Sequence, residues 1–194
     1  IRFIEQSALY YAQVRGLGTL KLNSTKEYVE KYTEEFYLVD LYYRRTLEAY
    51  HELITKENPI EQTLSDAKHQ LDLEYAKITN VLNLEWLTCV GEKGAWFTET
   101  GLKRQEDFYK NESDTSVKQV VIVCDALRYE VAKELMQELA KEKHIATIDA
   151  YQAMLPTETK YCKPALLPHH LLELNVTDMM VDGTLLTTTE QRTA

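Results

Sequence analysis

A short β-branched segment, VKQVVIVC at residues 117–124, most constrains the fold because an aspartate and a helical pattern follow it directly. Its length and composition are typical of a buried strand in a parallel sheet. The helical segment after the aspartate places Val131, Leu135 and Leu139 on one face, with charged residues opposite. IATIDAYQ at residues 145–152 then predicts a second strand. Strand, helix and strand together predict a right-handed crossover in an α/β sheet.

The first half of the chain has helical periodicity. Residues 24–56 predict one long amphipathic helix, in which Ser24 and Glu27 form a capping box. A second helix, antiparallel to the first, is predicted to follow Asn58 as N-cap and Pro59 as its first residue. Its apolar face contains Leu64, Ala67, Leu71, Ile78 and Leu82. Shorter helices are predicted at residues 1–15, 84–90 and 101–110.

The character of the chain changes at NESDTS, residues 111–116, which is polar and without periodicity. We therefore expect a helical region at residues 1–115 and an α/β region at residues 116–194. The final segment, GTLLTTTEQRTA, has no packing pattern. This leads us to expect a fragment of a longer protein.

Composition and charge exclude several classes of protein. No segment has the roughly 18 consecutive apolar residues that a membrane helix needs, and the first residues lack a secretion signal. We expect a soluble, cytoplasmic protein without membrane contact. The net charge of −9 repels polyanions, so a phosphate-bearing substrate would need local cations. Cys89, Cys124 and Cys162 lack metal-ligand spacing, so we expect reduced thiols, with Cys124 inside the predicted strand.

Asp125 closes the predicted strand, and ligands of open α/β sheets gather at the carboxyl ends of strands. It is either the N-cap of the following helix or a ligand for a hard metal ion. A haloacid-dehalogenase nucleophile would need a second aspartate where Leu127 stands. A phospho-receiver would need a paired acidic residue on an earlier strand. A binuclear metallophosphatase needs a serine or threonine on the next strand-to-helix loop, and this sequence has one.

That loop reads AMLPTETKYCKPALLP, residues 153–168. Pro156 predicts a rigid turn, and Thr157 and Thr159 follow it. A threonine here could be deprotonated against a bound divalent cation and attack phosphorus. The alternative is a pair of N-cap residues that opens a short helix.

Three motifs together resemble the PglZ family, a branch of the alkaline phosphatase superfamily found in bacterial phage-exclusion systems. The motifs are Asp125, Arg128, Tyr129 and Glu130; Leu155, Pro156, Thr157 and Thr159; and Leu166, Leu167 and Pro168. The resemblance implies that Asp125 binds a divalent metal, often zinc in the superfamily, with magnesium and manganese as alternatives. It also implies that Thr159 is the nucleophile and a ligand of the same metal, with Thr157 as the second candidate.

Basic residues near these motifs are candidates for substrate binding. Arg128 contacts phosphate or a partner, or forms a salt bridge with Glu130 or Glu134. Residues 160–163, usually small in the family, are Lys160, Tyr161, Cys162 and Lys163 here. They either narrow the pocket or, through the two lysines, supply positive charge to a phosphate. We assign substrate binding to Arg128 and Lys160.

This sequence does not contain the full set of histidine ligands that a metal site of the superfamily uses. His51 and His69 lie on predicted helices and are expected to be exposed or at an interface, and His144 lies at a helix end. At most one of the adjacent His169 and His170 can reach a metal. No histidine follows His170. We therefore expect the remaining ligands elsewhere in a longer protein.

The resemblance predicts a helical region followed by the first part of an alkaline-phosphatase-like α/β domain. The complete protein would be a metal-dependent phosphomonoesterase or phosphodiesterase of a phage-defence system, and this chain alone would be inactive. Its phosphoester substrate, whether nucleic acid, nucleotide, phosphoprotein or lipid, stays open. The alternative is a non-catalytic interaction module that binds other defence proteins. In a third reading, Asp125 only caps its helix.

Overall fold

The structure is a computed structural model that describes residues 1–54, 59–91, 100–114, 116–175, 177–186 and 188–193. Contacts divide the chain into two compact units. The helical unit comprises Ile1–Gly101 and Arg128–Ala146, and the sheet unit comprises Leu102–Leu127 and Thr147–Ala194. These two units do not coincide with the predicted regions 1–115 and 116–194. The predicted division of the sequence into these two regions stays a prediction.

The described residues form helices in the first half of the chain and both helices and short strands after it. The helices are α1 (Arg2–Gly16), α2 (Thr25–Lys31), α3 (Tyr37–Ile54), α4 (Glu61–Val90), α5 (Phe108–Glu112), α6 (Tyr129–Lys141), α7 (Thr159–Ala165) and α8 (Thr189–Thr193). The strands are β1 (Lys103–Arg104), β2 (Tyr151–Gln152), β3 (Leu172–Asn175), β4 (Asp178–Val181) and β5 (Thr184–Leu185). Within the described part of the chain, no helix has the length and apolar character needed to cross a membrane.

The capping box at Ser24 is confirmed. The Ser24 hydroxyl accepts a hydrogen bond from the Glu27 amide at 3.2 Å, and the Glu27 carboxylate accepts one from the Asn23 amide at 2.9 Å. The predicted long helix is present as α2 and α3, joined by a π-helical turn at Tyr32–Phe36. Asn58, the predicted cap of the second helix, lies outside the described residues. That helix, α4, begins at Glu61 and includes the piece predicted separately at residues 84–90.

The core of the helical unit forms where α1, α3 and α4 meet. Leu64, Leu71 and Ile78 are buried at every seventh position of α4, as predicted, whereas Ala67 is exposed and Leu82 is half-buried. Two clusters of buried side chains fill this region: Phe3, Ala49 and Leu64, then Tyr10, Val39 and Leu71. Burial of these apolar surfaces is the main stabilising term of the unit.

Tyrosines add polar contacts to this core. The rings of Tyr43 and Tyr75 stack with centroids 3.7 Å apart. Asp40 accepts hydrogen bonds from the hydroxyls of Tyr32 at 2.6 Å and Tyr75 at 2.8 Å. The Tyr43 hydroxyl donates to Asp72 at 3.0 Å. Burial, and then this bond to Asp72, raise the pKa of Tyr43 to about 12. Tyr32, Tyr43 and Tyr75 are therefore structural residues, each with a carboxylate that accepts from its hydroxyl.

Helix α6 is confirmed, but the apolar face predicted from its sequence is not its buried face. Leu135 is exposed, and the buried residue of α6 is Glu130, which is 1 % exposed. The Arg44 Nε atom of α3 lies 3.8 Å from the Glu130 carboxylate, and both Arg44 and Arg45 pair with Glu134. The helix thus contacts α3 through ion pairs, with a buried carboxylate at its first turn.

The predicted strand at residues 117–124 is wrong. Among the described residues, no strand pairs with this segment, and its side chains are exposed, Ile122 by 80 % and Cys124 also. Of the second predicted strand only Tyr151–Gln152 forms, as β2, and it pairs in parallel with β1. A strand is held by hydrogen bonds to a neighbour, which local sequence cannot supply. The predicted crossover is therefore not formed, and β1 also replaces part of the helix predicted at residues 101–110.

A three-stranded antiparallel sheet, with strand order β3-β4-β5, supports helix α7 in the sheet unit. Met179 and Val181 of β4 are buried against Tyr161 of α7. The chain thus contains both helices and small β-sheets, which confirms the predicted mixed fold class in general terms.

Candidate active site

Asp125 lies in an exposed turn of the sheet unit that directly follows residues 117–124. The next residue, Ala126, has φ of 55°, which a non-glycine residue rarely adopts and which marks a sharp change of chain direction. Arg128 occupies the N-cap position of α6. The interpretation of Asp125 as the N-cap of this helix is therefore wrong, and its carboxylate is available for other contacts.

The structure brings Asp125 and Thr159 together. Thr159 is the first residue of α7, and its hydroxyl lies 3.3 Å and 3.4 Å from the two carboxylate oxygens of Asp125. These hydrogen bonds are longer than the usual 2.7–2.8 Å or so between oxygens, so they are weak. Thr157, the second candidate nucleophile, is exposed in the turn before α7. The roles assigned to these residues stay predictions.

Lys163 completes the group of charged and polar side chains. Its Nζ atom lies 3.1 Å from Oδ2 of Asp125. The Lys163 ammonium is the main reason that the pKa of Asp125 lies below its ordinary value, and the Thr159 hydroxyl and the Ala126 amide add to the effect. Asp125 is therefore ionised at neutral pH. Sequence reasoning assigned Lys163 only a general positive charge near phosphate and missed its contact with Asp125. Its spacing of four residues from Thr159 places both residues on one helical face, which is a signal for this contact.

Lys160, the lysine selected from the sequence, has different neighbours. Its Nζ atom lies 3.7 Å from the Glu158 carboxylate and 4.6 Å from the centre of the Tyr161 ring. Its role in substrate binding stays a prediction.

Gln105 links the strand-to-helix loop to helix α7. Its amide nitrogen donates to the Cys162 carbonyl at 3.3 Å, and its amide oxygen accepts from the Met154 backbone at 2.9 Å. The Tyr161 ring is buried in the core, and its hydroxyl donates to the Thr177 carbonyl at 3.2 Å. No sequence signal pointed to Gln105, because it lies 57 residues before Cys162.

Cys162 is inert in this arrangement. Its thiol contacts the carbonyl oxygen of Met154 at 3.6 Å, and burial raises the pKa of the thiol. A protonated thiol is a poor nucleophile, so Cys162 is not a candidate nucleophile.

Asp125 and Thr159 fit part of a metal coordination shell. Two oxygen ligands at about 2.1 Å from one ion lie about 3.0–3.4 Å apart for the usual bond angles, in agreement with the spacing found here. Within the described ranges, however, no group of three or more histidine, cysteine, aspartate or glutamate side chains could hold a metal ion. The two oxygens therefore supply only part of a site.

The other predicted residues have different partners. Arg128 is exposed in the helical unit, with Nη1 4.0 Å from Glu130, and its contact with substrate stays a prediction. The backbone amide of His170 donates to Asp182 at 2.9 Å, and Nδ1 of His169 lies 2.7 Å from the Leu167 carbonyl. His51 and His69 are exposed on α3 and α4.

The part of the chain that holds this site matches a known family. Residues 106–194 match the PglZ family, described as the BREX system PglZ alkaline phosphatase-like domain. The chain is 29 % identical over 184 residues to the alkaline phosphatase-like protein PglZ of Bacillus cereus (strain H3081.97). It is 38 % identical over 79 residues to the alkaline phosphatase-like protein BrxZ of Escherichia coli O9:H4 (strain HS). The resemblance inferred from the three motifs is confirmed.

The matched relatives are much longer than this chain. The first alignment covers 88 % of the chain and 21 % of the Bacillus protein, and the second covers 37 % of the chain and 9 % of the Escherichia protein. The chain thus spans about a fifth, or less, of the length of these relatives. No solved structure matches it.

Proposed function

We propose that this chain supplies the nucleophile and the first metal-binding carboxylate of a metal-dependent phosphoester hydrolase, working as part of a longer protein of the PglZ type. The contact between the Thr159 hydroxyl and the Asp125 carboxylate, at 3.3 Å, carries this proposal. It lies within residues 106–194, which match an alkaline phosphatase-like domain.

The chemistry assigned to Thr159 is an in-line attack on phosphorus. A bond forms between Oγ1 and phosphorus, the bond from phosphorus to the leaving oxygen breaks, and the hydroxyl proton passes through solvent water to the leaving oxygen. Water then cleaves the phosphothreonine, which restores the hydroxyl and releases the phosphate product. Asp125 orients the hydroxyl before attack, since it accepts the hydrogen bond from Oγ1.

A divalent cation such as zinc, magnesium or manganese, when bound, would lower the pKa of the hydroxyl and balance the charge of the phosphoryl oxygens. Asp125 and Thr159 would hold it in part, and the remaining ligands would come from other segments of the complete protein. Asp125 suits this role because its depressed pKa keeps it ionised at neutral pH.

We place the chain, on the same grounds, in a phage-defence protein whose α/β domain it contains only in part. The match of residues 106–194 to a domain described as part of the BREX system supports contacts with other defence proteins. A nucleic-acid substrate would be held by other parts of the complete protein, since this chain has a net charge of −9.

Hydrolysis of bis(p-nitrophenyl) phosphate by the complete protein, with each divalent metal in turn, tests the proposal. We expect metal-stimulated turnover that Thr159→Ala reduces at least about a thousandfold, in the range found for loss of a nucleophile. Asp125→Asn should weaken metal binding. Thr157→Ala tests the second threonine, and we expect it to retain turnover. Loss of activity in Thr157→Ala alone would transfer the role of nucleophile to that residue.

A non-catalytic interaction module is the second candidate. It is favoured by the ion pair that Lys163 makes with Asp125, and by the lack of a three-ligand metal cluster within the described ranges. The same assay separates the two candidates, because the module would show no turnover with any metal.

A further inference from the structure

We propose that Lys163 is a built-in counter-ion of the site, which competes with a divalent cation for Asp125 and turns to a phosphoryl oxygen once the cation binds. This inference rests on the proposed function and adds a means of controlling the same site. It assigns Lys163 two roles that the sequence motifs do not contain, as counter-ion of Asp125 and as donor to a phosphoryl oxygen.

The geometry makes lysine and cation alternatives. Oδ2 of Asp125 accepts from the Lys163 ammonium at 3.1 Å and from the Thr159 hydroxyl at 3.3 Å. The two oxygens of a carboxylate offer about four lone-pair positions, and the groups already present occupy those that face α7. A cation that joined Asp125 to Thr159 would lie in the same space and would repel the ammonium. Binding of the cation therefore requires Lys163 to move.

Such a movement is inexpensive because the ion pair is open to solvent. The side chains of Lys163 and Asp125 are 33 % and 58 % exposed. Exposed ion pairs contribute little free energy, and the four-carbon stem of lysine is flexible. The competition should therefore weaken cation binding by only about two- to fivefold.

The helix keeps the released lysine close to the reaction. Thr159 and Lys163 are four residues apart in α7, so both lie on one face of the helix. A lysine ammonium is a strong donor to phosphate oxygens. Lys160 is bound differently, near Glu158 and over the Tyr161 ring, so Lys163 is the lysine that contacts Asp125.

Metal affinity, measured independently of turnover, tests this inference. The complete protein, folded as judged by circular dichroism, would be titrated with Mn²⁺ against a chromophoric chelator. We expect Lys163→Gln to bind Mn²⁺ about two- to fivefold more tightly than wild type, and Lys163→Arg to stay near wild type. Lys103→Gln is the matched control: it removes the same charge from a lysine that pairs with Glu112 at 3.0 Å, and should leave affinity unchanged.

Orthovanadate binding to the metal-loaded protein tests the second step. Lys163→Gln should weaken it about tenfold, which corresponds to the loss of one charge-assisted hydrogen bond. Equal or weaker Mn²⁺ affinity in Lys163→Gln overturns the inference, and so does unchanged orthovanadate affinity. If Asp125→Asn still abolishes Mn²⁺ binding in that case, the proposed function stands alone. If neither wild type nor Lys163→Gln binds a divalent metal, both proposals fail.

Discussion

Gln105 is the side chain that links the strand-to-helix loop to helix α7. It donates to the Cys162 carbonyl and accepts from the Met154 amide, so the loop before Thr159 and the helix that carries it share one anchor. A polar bridge of this kind fixes the direction of a functional side chain without touching it. We therefore expect the site to respond to Gln105 although this residue contacts neither Asp125 nor phosphate.

Replacement of Gln105 by alanine should lower the free energy of unfolding by about 1–3 kcal/mol, because two hydrogen bonds are lost. Gln105→Glu keeps the acceptor for the Met154 amide and loses only the donor to Cys162. Its free energy of unfolding should therefore lie between those of the alanine variant and wild type. Urea denaturation of the three proteins measures the order. Equal stability of alanine and wild type would contradict the anchoring role.

The sequence predicts the placement of individual side chains where they belong to one motif or lie on one helix. Asp125 and Thr159 were identified by motif, and Lys163 shares a helical face with Thr159 because the two are four residues apart. The contact of Gln105 with Cys162 depends on how distant segments fold together. No local pattern encodes such a contact.

At the level of elements, helix α6 is joined to α3 by charges. Glu130 is buried with both carboxylate oxygens lacking a hydrogen-bond partner among the described residues, and Arg44 lies 3.8 Å away. Loss of one partner in a buried ion pair leaves an uncompensated charge in a medium of low polarity. The pair should therefore be sensitive to substitution of either partner alone.

Arg44→Met should lower the free energy of unfolding by about 3 kcal/mol, as found for broken buried pairs. Arg2→Met is a suitable control, because Arg2 makes exposed ion pairs with Glu48 and Glu52, and should cost no more than about 1 kcal/mol. The double variant Arg44→Met/Glu130→Gln should recover most of the loss, since no buried charge is left. Thermal and urea unfolding measure these differences. Similar losses in Arg44→Met and Arg2→Met would show that Glu130 needs no counter-ion.

The helices were predicted well and the strands poorly, for a physical reason. Ser24 caps its helix through bonds to residues three positions away, and Leu64, Leu71 and Ile78 repeat at a helical interval. These are local properties. The segment 117–124 has a strand composition, but a strand exists only beside another strand, and no described strand pairs with it.

For the molecule as a whole, the tyrosines of the helical unit should limit stability at alkaline pH. The pKa of Tyr43 is raised to about 12, and burial raises the pKa values of Tyr10, Tyr32 and Tyr75 as well. In the unfolded chain tyrosines ionise near 10. Between about pH 10 and pH 12 the unfolded state loses protons that the folded state keeps, so stability falls as pH rises.

Below about pH 10 this contribution of the tyrosines should be fully present, and helix ellipticity at 222 nm should stay constant. Above it, loss of ellipticity should coincide with tyrosinate absorbance at 295 nm. Tyr43→Phe removes one of these ionisations, so its stability should decline less steeply with pH. Tyrosinate formation well before any loss of ellipticity would indicate that these hydroxyls ionise within the folded unit.

The bare apolar run at residues 120–123 has a practical consequence for handling this polypeptide. Val120, Val121, Ile122 and Val123 are all exposed, in a segment that pairs with no strand among the described residues. Salts such as ammonium sulfate strengthen apolar association, and an unpaired apolar segment readily adds to another copy. Purification by salting-out would therefore favour aggregation, whereas dilute protein in a low-salt buffer with mild detergent should not aggregate.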